Sequence, residues 1–140
     1  MRLVVDTNVL VAALVARGTM RNLFFGSRLQ LHSPAKALEE IEEHLPEFER
    51  KTGLSKHDLL KAAEILLQQV EIVPFREYRE FAEEALALAK TVGDEDDWPF
   101  FALALKLGTP LWTNDAKLKS QHKVKVLNTS ELLKILSRRE

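Results

Sequence analysis

Short apolar, β-branched runs alternate with longer helical stretches from one end of this chain to the other, and that alternation leaves few folds open to it. R-L-V-V-D at 2–6 reads as a buried strand, and Leu29 to His32, Glu71 to Pro74, Leu111 to Thr113 and Val124 to Val126 supply four more. Helical stretches fill the intervals. Asn8 opens an apolar helix reaching Gly18, and a second runs from Thr19 to Phe25. Ser33 or Pro34 starts the next, whose Leu38, Ile41, Leu45 and Phe48 recur as one helical face, with Pro46 expected to kink or restart it. Ser55 with Asp58 forms a capping box for a helix to about Gln69. Further helices are predicted from Glu77 to Lys90, over the apolar run Phe100 to Leu107, and from Thr129 or Ser130 onward. Phe24, Phe25, Phe100, Phe101 and Trp112 are expected to fill the core. Strands alternating with helices in this manner imply an α/β protein with a central, mostly parallel, five-stranded sheet. At 140 residues with no linker, repeat or low-complexity segment, residues 1–140 read as one domain.

Composition narrows the chemistry. The chain has no cysteine, which excludes disulfides, thiolate zinc sites, iron-sulfur clusters and a cysteine nucleophile, and fits a reducing cytoplasm. The longest apolar run, Val9 to Ala16, is far short of the roughly 20 residues of a membrane span. A soluble, cytoplasmic protein without membrane attachment is expected. The net charge of −1 conceals an uneven distribution: +3 over residues 1–35, −9 over 36–97 and +5 over 98–140. Solvated helix faces account for such a pattern, and so does an acidic site flanked by basic segments that hold phosphate. His32, His44, His57 and His122 show no zinc-like spacing and read as surface or capping residues.

In a parallel sheet, ligands bind beyond the carboxyl ends of the strands. Asp6 and Asp115 each follow a predicted strand, so both project from one edge if strands one and four are neighbours. Either could simply cap the next helix. G-D-E-D-D-W at 93–98 adds four acids in a row, more than one helix start requires. Asp97 stands directly before the most apolar helix, and Asp94 shares its face. In A-K-A-L-E-E-I-E-E-H, Glu39 and Glu43 point away from the apolar face, whereas Glu40 and Glu42 lie at its margins, where a carboxylate can enter a cleft. Asp6, Glu40, Asp97 and Asp115 brought together are stable as carboxylates only beside a cation. An all-oxygen donor set selects Mg²⁺ or Mn²⁺, and the chemistry implied is metal-assisted phosphodiester hydrolysis.

V-V-D-T-N at 4–8, S-P-A-K-A-L-E-E-I at 33–41, D-E-D-D-W-P-F-F-A-L-A at 94–104 and L-W-T-N-D at 111–115, in that order, resemble the PIN-domain family of metal-dependent ribonucleases, which includes the toxins of many toxin-antitoxin pairs. The resemblance covers nearly the whole chain and is weakest from about Pro46 to Arg79. It implies a three-layer α/β/α sandwich and an endoribonuclease whose acidic metal site is Asp6, Glu40, Asp97 and Asp115. Asp94 would be an auxiliary acid, and Asn8, Thr113 and Asn114 would orient ligands or substrate. An antitoxin protein and a second copy of the chain are the partners it suggests, and the apolar helices between residues 8 and 25 suit a homodimer face.

Other acid-based chemistries fail on particular residues. A haloacid-dehalogenase-type phosphatase needs an Asp at position 8, which is Asn, and a response-regulator receiver needs an Asp where Pro74 and Phe75 stand. The expected function is therefore Mg²⁺- or Mn²⁺-dependent RNA hydrolysis, with Asp6, Asp97 and Asp115 as metal ligands and Glu40 positioning metal or water. The rival is a catalytically silent RNA-binding or protein-binding module that retains the fold. Trp98 at a cleft rim could stack on a base, and Lys117, Lys119, Lys123 and Lys125 could meet the RNA backbone.

Overall fold

The computed structural model describes residues 1–26 and 28–138. β1 (Arg2–Val5) is followed by α1 (Thr7–Leu14) and α2 (Thr19–Phe25), then β2 (Gln30–Pro34), α3 (Lys36–Thr52), α4 (Lys56–Leu67) and β3 (Val70–Val73). The second half runs α5 (Phe75–Tyr78), α6 (Ala82–Thr91), α7 (Trp98–Leu107), β4 (Leu111–Trp112), β5 (Val126–Leu127) and α8 (Thr129–Arg138). The strands form one sheet in the order β3-β2-β1-β4-β5, and every pairing is parallel.

That topology follows from what each element must bury. Leu3, Val4 and Val5 of β1 are inaccessible to solvent, as expected for the central strand of a sheet covered on both faces. Right-handed crossovers from β1 through β2 to β3 stack α1, α3 and α4 on one another over one face. The return from β3 to β4 reverses direction and therefore lays α6 and α7 over the other, with α7 against β1, β2 and β4. The result is a three-layer α/β/α sandwich. Phe100 through Leu103 of α7 are all buried, each large one contributing about 1.5–3 kcal/mol by burial. Trp112 is fully buried on β4, 5.3 Å from the ring of Phe24, and its indole nitrogen donates to Thr129 Oγ1 at 3.0 Å.

Several boundaries differ from those the sequence suggests. Strand β2 continues through Ser33 and Pro34, so α3 starts at Lys36; the Ser33 hydroxyl is buried and donates to the Val5 carbonyl, and Pro34 pairs with Val73. Pro46 neither breaks nor restarts α3, which runs uninterrupted from Lys36 to Thr52 with the ring on its solvent side. The helix ends where Gly53 adopts φ 73° and its N–H returns to Glu49 O, a conformation that favours glycine. The single helix expected from Glu77 to Lys90 is α5 and α6 separated by a 3-10 turn at Arg79–Phe81. Phe25 is not in the core: it is 37% exposed, with the Arg21 guanidinium 4.7 Å above its ring. His32 is not a surface residue; its side chain is 12% exposed, it lies 3.7 Å from Glu71, and burial holds its pKa below the usual histidine value. Among the described residues no helix is long and apolar enough to cross a membrane.

Candidate metal centre

Because all five strands are parallel, their carboxyl ends share one edge of the sheet. β1 and β4 are direct neighbours there, with Val4 beside Leu111 and Val5 beside Trp112. Strand order reverses between them, which is where connections diverge and leave a crevice. Asp6 leaves β1 into this crevice and Asp115 follows β4.

Asp6 is 6% exposed and caps α1: its Oδ1 accepts from the Val9 N–H at 2.9 Å, and its Oδ2 accepts a short hydrogen bond from the Thr113 hydroxyl. Burial drives its pKa from 3.8 up to about 6; the bonds from Thr113 and Val9 oppose that rise, and the charges of Asp115 and Glu40 add to it. Thr113 also accepts from the Asp115 N–H at 3.1 Å, so one buried hydroxyl ties the ends of β1 and β4 together. Replacing it with the near-isosteric valine, Thr113→Val, leaves Asp6 Oδ2 and the Asp115 amide without their partner. We expect a loss of about 1–3 kcal/mol in thermal or denaturant unfolding, and an Asp6 that takes up a proton more readily still; a variant as stable as wild type would show that the hydroxyl does not hold the two loops.

Asp97 ends a 3-10 turn (Glu95–Asp97) in front of α7. Its backbone has φ −87° and ψ 4°, and its carboxylate accepts no N–H of α7. Its side chain therefore does not cap α7. Burial raises its pKa from 3.8 to about 7, and the negative charges of Asp94, Asp6 and Glu40 reinforce the effect. One oxygen each of Asp94, Asp97 and Asp115 lie within 4.8 Å of one another. Three carboxylate oxygens this close together could converge on one small hard cation. The donors are all carboxylate oxygens with neither imidazole nor thiolate, which is the chemistry that such an ion takes.

The tight group thus contains Asp97 and Asp115 as expected, with Asp94 closer in than its auxiliary role implied. Asp6 stands behind it, both oxygens engaged, near enough to act on Asp97 and Asp115 by charge. Glu40 joins from α3: its Oε1 accepts from the Thr7 hydroxyl at 3.2 Å, and burial raises its pKa against that bond and the charge of Lys36. Glu39, its neighbour, is exposed. Asn8 is exposed on the first turn of α1. Asn114 faces another way: its Oδ1 accepts from the backbone N–H of Thr129 at 2.9 Å and from its hydroxyl at 3.1 Å, organising the start of α8. One residue was missed from the sequence, Thr7, which holds Glu40; Lys117, expected with three other lysines to meet the RNA backbone, has its amine 3.5 Å from Asp94. The position of Thr7, between the acid ending β1 and the apolar face of α1, was a usable signal; nothing in the spacing of Lys117 distinguished it from the other lysines.

A family profile described as PIN domain matches residues 4–136. No curated protein matches the chain. Among solved structures, VapBC2 from Rickettsia felis bound to a DNA fragment from their promoter superposes with a TM-score of 0.72 at 18% identity, covering 91% of this chain and 98% of that one. PAE2754 from Pyrobaculum aerophilum gives 0.73 at 17% identity over 99% and 90%, and a toxin-antitoxin complex from Klebsiella pneumoniae gives 0.65 at 17% identity over 89% and 95%.

Proposed function

The chain belongs to the PIN-domain family, and on that premise we propose that residues 1–140 form a single-domain endoribonuclease that hydrolyses RNA phosphodiester bonds with Mg²⁺ or Mn²⁺. The observation that carries this reading is the convergence of Asp94, Asp97 and Asp115 within 4.8 Å at the crevice between β1 and β4. Asp94, Asp97 and Asp115 would hold the ion, with Asp6 and Glu40 completing the negative field around it. When bound, the ion supplies a water of lowered pKa and neutralises charge growing on the phosphate.

The chain's own residues have distinct tasks. Asp97, with its pKa raised by burial to about 7, holds a proton in part of the population at neutral pH and would give it up to bind a cation. Thr113 fixes Asp6 and the Asp115 backbone at once, and Thr7 aims Glu40. Lys117 beside Asp94 offers a positive charge for an incoming phosphate. Likeness to the Klebsiella toxin-antitoxin complex supports a further element, an antitoxin protein as partner. The half-exposed Val15 and Phe25 at the ends of α1 and α2 would lie in a homodimer face, and a cytoplasmic location would bring the protein to its RNA.

Calorimetric titration of Mn²⁺ into wild type and Asp97→Asn near neutral pH tests the site without the need to guess an RNA. Saturable binding is expected for wild type, at least about tenfold weaker in the variant by comparison with the loss of groups that merely support a metal ligand. Folded wild type that binds no Mn²⁺ would favour the silent module.

A further inference from the structure

The same edge of the sheet carries an aromatic group that the acidic centre does not use. β3 is an outer strand, two places from β1, and its carboxyl end passes through Pro74 into α5, F-R-E-Y. Adjacent strands lie about 4.8 Å apart, so the carboxyl ends of β3 and β1, which lead to Phe75 and Asp6, are about 10 Å apart along this edge. Its ring meets Tyr78 edge-to-face at 5.7 Å and Trp98 at 6.0 Å, with interplanar angles of 84° and 86°. Tyr78 is buried, and Trp98 follows Asp97 directly in the chain, so the ring is braced from beneath and linked to the metal centre. Phe75 itself is 50% exposed.

A lone exposed phenylalanine is ordinary. This one is held by two aromatic partners at the binding edge and has cations around it. Lys36 begins α3 between Phe75 and the acids; its amine donates to the Asp96 carbonyl at 2.8 Å and its charge is felt by Glu40. Arg76 and Arg79 on the same segment are exposed and enter no ion pair among the described residues. Aromatic faces interleaved with cations are what unpaired nucleotides bind: the base stacks and the cations take the backbone. A duplex offers no free base face there.

We propose that Phe75, braced by Trp98 and Tyr78, is the platform on which one unpaired base of the RNA stacks while the phosphodiester is held at the acids. The inference rests on the ribonuclease reading above. Fluorescence anisotropy with a labelled oligouridine dodecamer and a labelled RNA duplex of equal length, with Ca²⁺ present as the hard cation, measures it. Phe75→Ala and Phe75→Leu are expected to weaken oligouridine binding about tenfold while Phe75→Trp retains it, and duplex binding is expected to be the same in all four proteins. Phe75→Leu keeps apolar contact with Tyr78 and Trp98, so it carries the test if Phe75→Ala melts too low. Oligouridine binding unchanged by both truncations, or an equal loss on duplex, overturns the platform and leaves the nuclease reading intact if wild type still cuts RNA with Mn²⁺. A wild type that neither binds nor cuts RNA overturns both.

Discussion

Asp6→Asn is expected to lower divalent-dependent cleavage of single-stranded RNA by on the order of 10³-fold, the equivalent of several kcal/mol of transition-state charge stabilisation, while leaving the fold intact. The substitution preserves shape and keeps both side-chain hydrogen bonds, leaving only the Thr113 O–H without its acceptor. The amide oxygen can accept from the Val9 N–H, and the amide nitrogen can donate to Thr113 Oγ1, because a hydroxyl accepts as readily as it donates. What disappears is one negative charge behind Asp97 and Asp115. Rates over a range of Mn²⁺ concentrations, with far-ultraviolet circular dichroism as the check on folding, decide the matter. A folded variant with wild-type rates would remove Asp6 from the machinery; residual activity restored by high Mn²⁺ would place its role in ion affinity.

The central strand was legible in the sequence because β1 is buried on both faces, and such a strand reads as an unbroken apolar run. The order of the strands was not. Nothing local says that β4 returns to the far side of β1, and the carboxylates converge only because it does. β4 and β5 are two residues each, too short for a periodic signal, which accounts for the misplacement of the last strand. Pro46 does not restart the helix, since α3 continues through it with the ring on the exposed side. For the site, the direction of the apolar face of α3 set Glu40 and Glu42 apart from Glu39, and of the two only Glu40 is half-buried and bonded to Thr7. Ranking Asp94 against Asp6 was beyond such patterning. That depends on a 3-10 turn, which brings Asp94 round beside Asp97, and on Thr113, which draws Asp6 back.

Stability of the ion-free protein is expected to fall as pH rises through about 6 and about 7, opposite to the usual rise from acid to neutral conditions. Asp6 and Asp97 have folded-state pKa values near 6 and near 7 against 3.8 when unfolded. Below 3.8 both states are protonated and the folded form keeps its full stability. Above it, the unfolded chain releases protons that the folded state retains, so each further unit of pH favours unfolding until the folded groups also ionise. The buried Asp6 accounts for about 3 kcal/mol at 1.36 kcal/mol per pKa unit, and the partly exposed Asp97 for about 2 kcal/mol after allowance for solvent screening. Removing the charge should therefore help: Asp97→Asn is expected to stabilise the protein in EDTA near pH 8 by about 2 kcal/mol. Mn²⁺ at a hundred times its dissociation constant should raise wild-type stability by about 2.7 kcal/mol, and the variant far less. Denaturant melts from pH 4 to 8, with EDTA or Mn²⁺, read all of these. A wild type whose stability climbs steadily to pH 8 in EDTA, unaffected by Asp97→Asn, would show that burial and the neighbouring charges do not hold these acids protonated in the folded state. If instead the substitution stabilises the protein and at the same time removes its response to Mn²⁺, the crowding of Asp97 is explained as a cost to folding that a bound cation offsets.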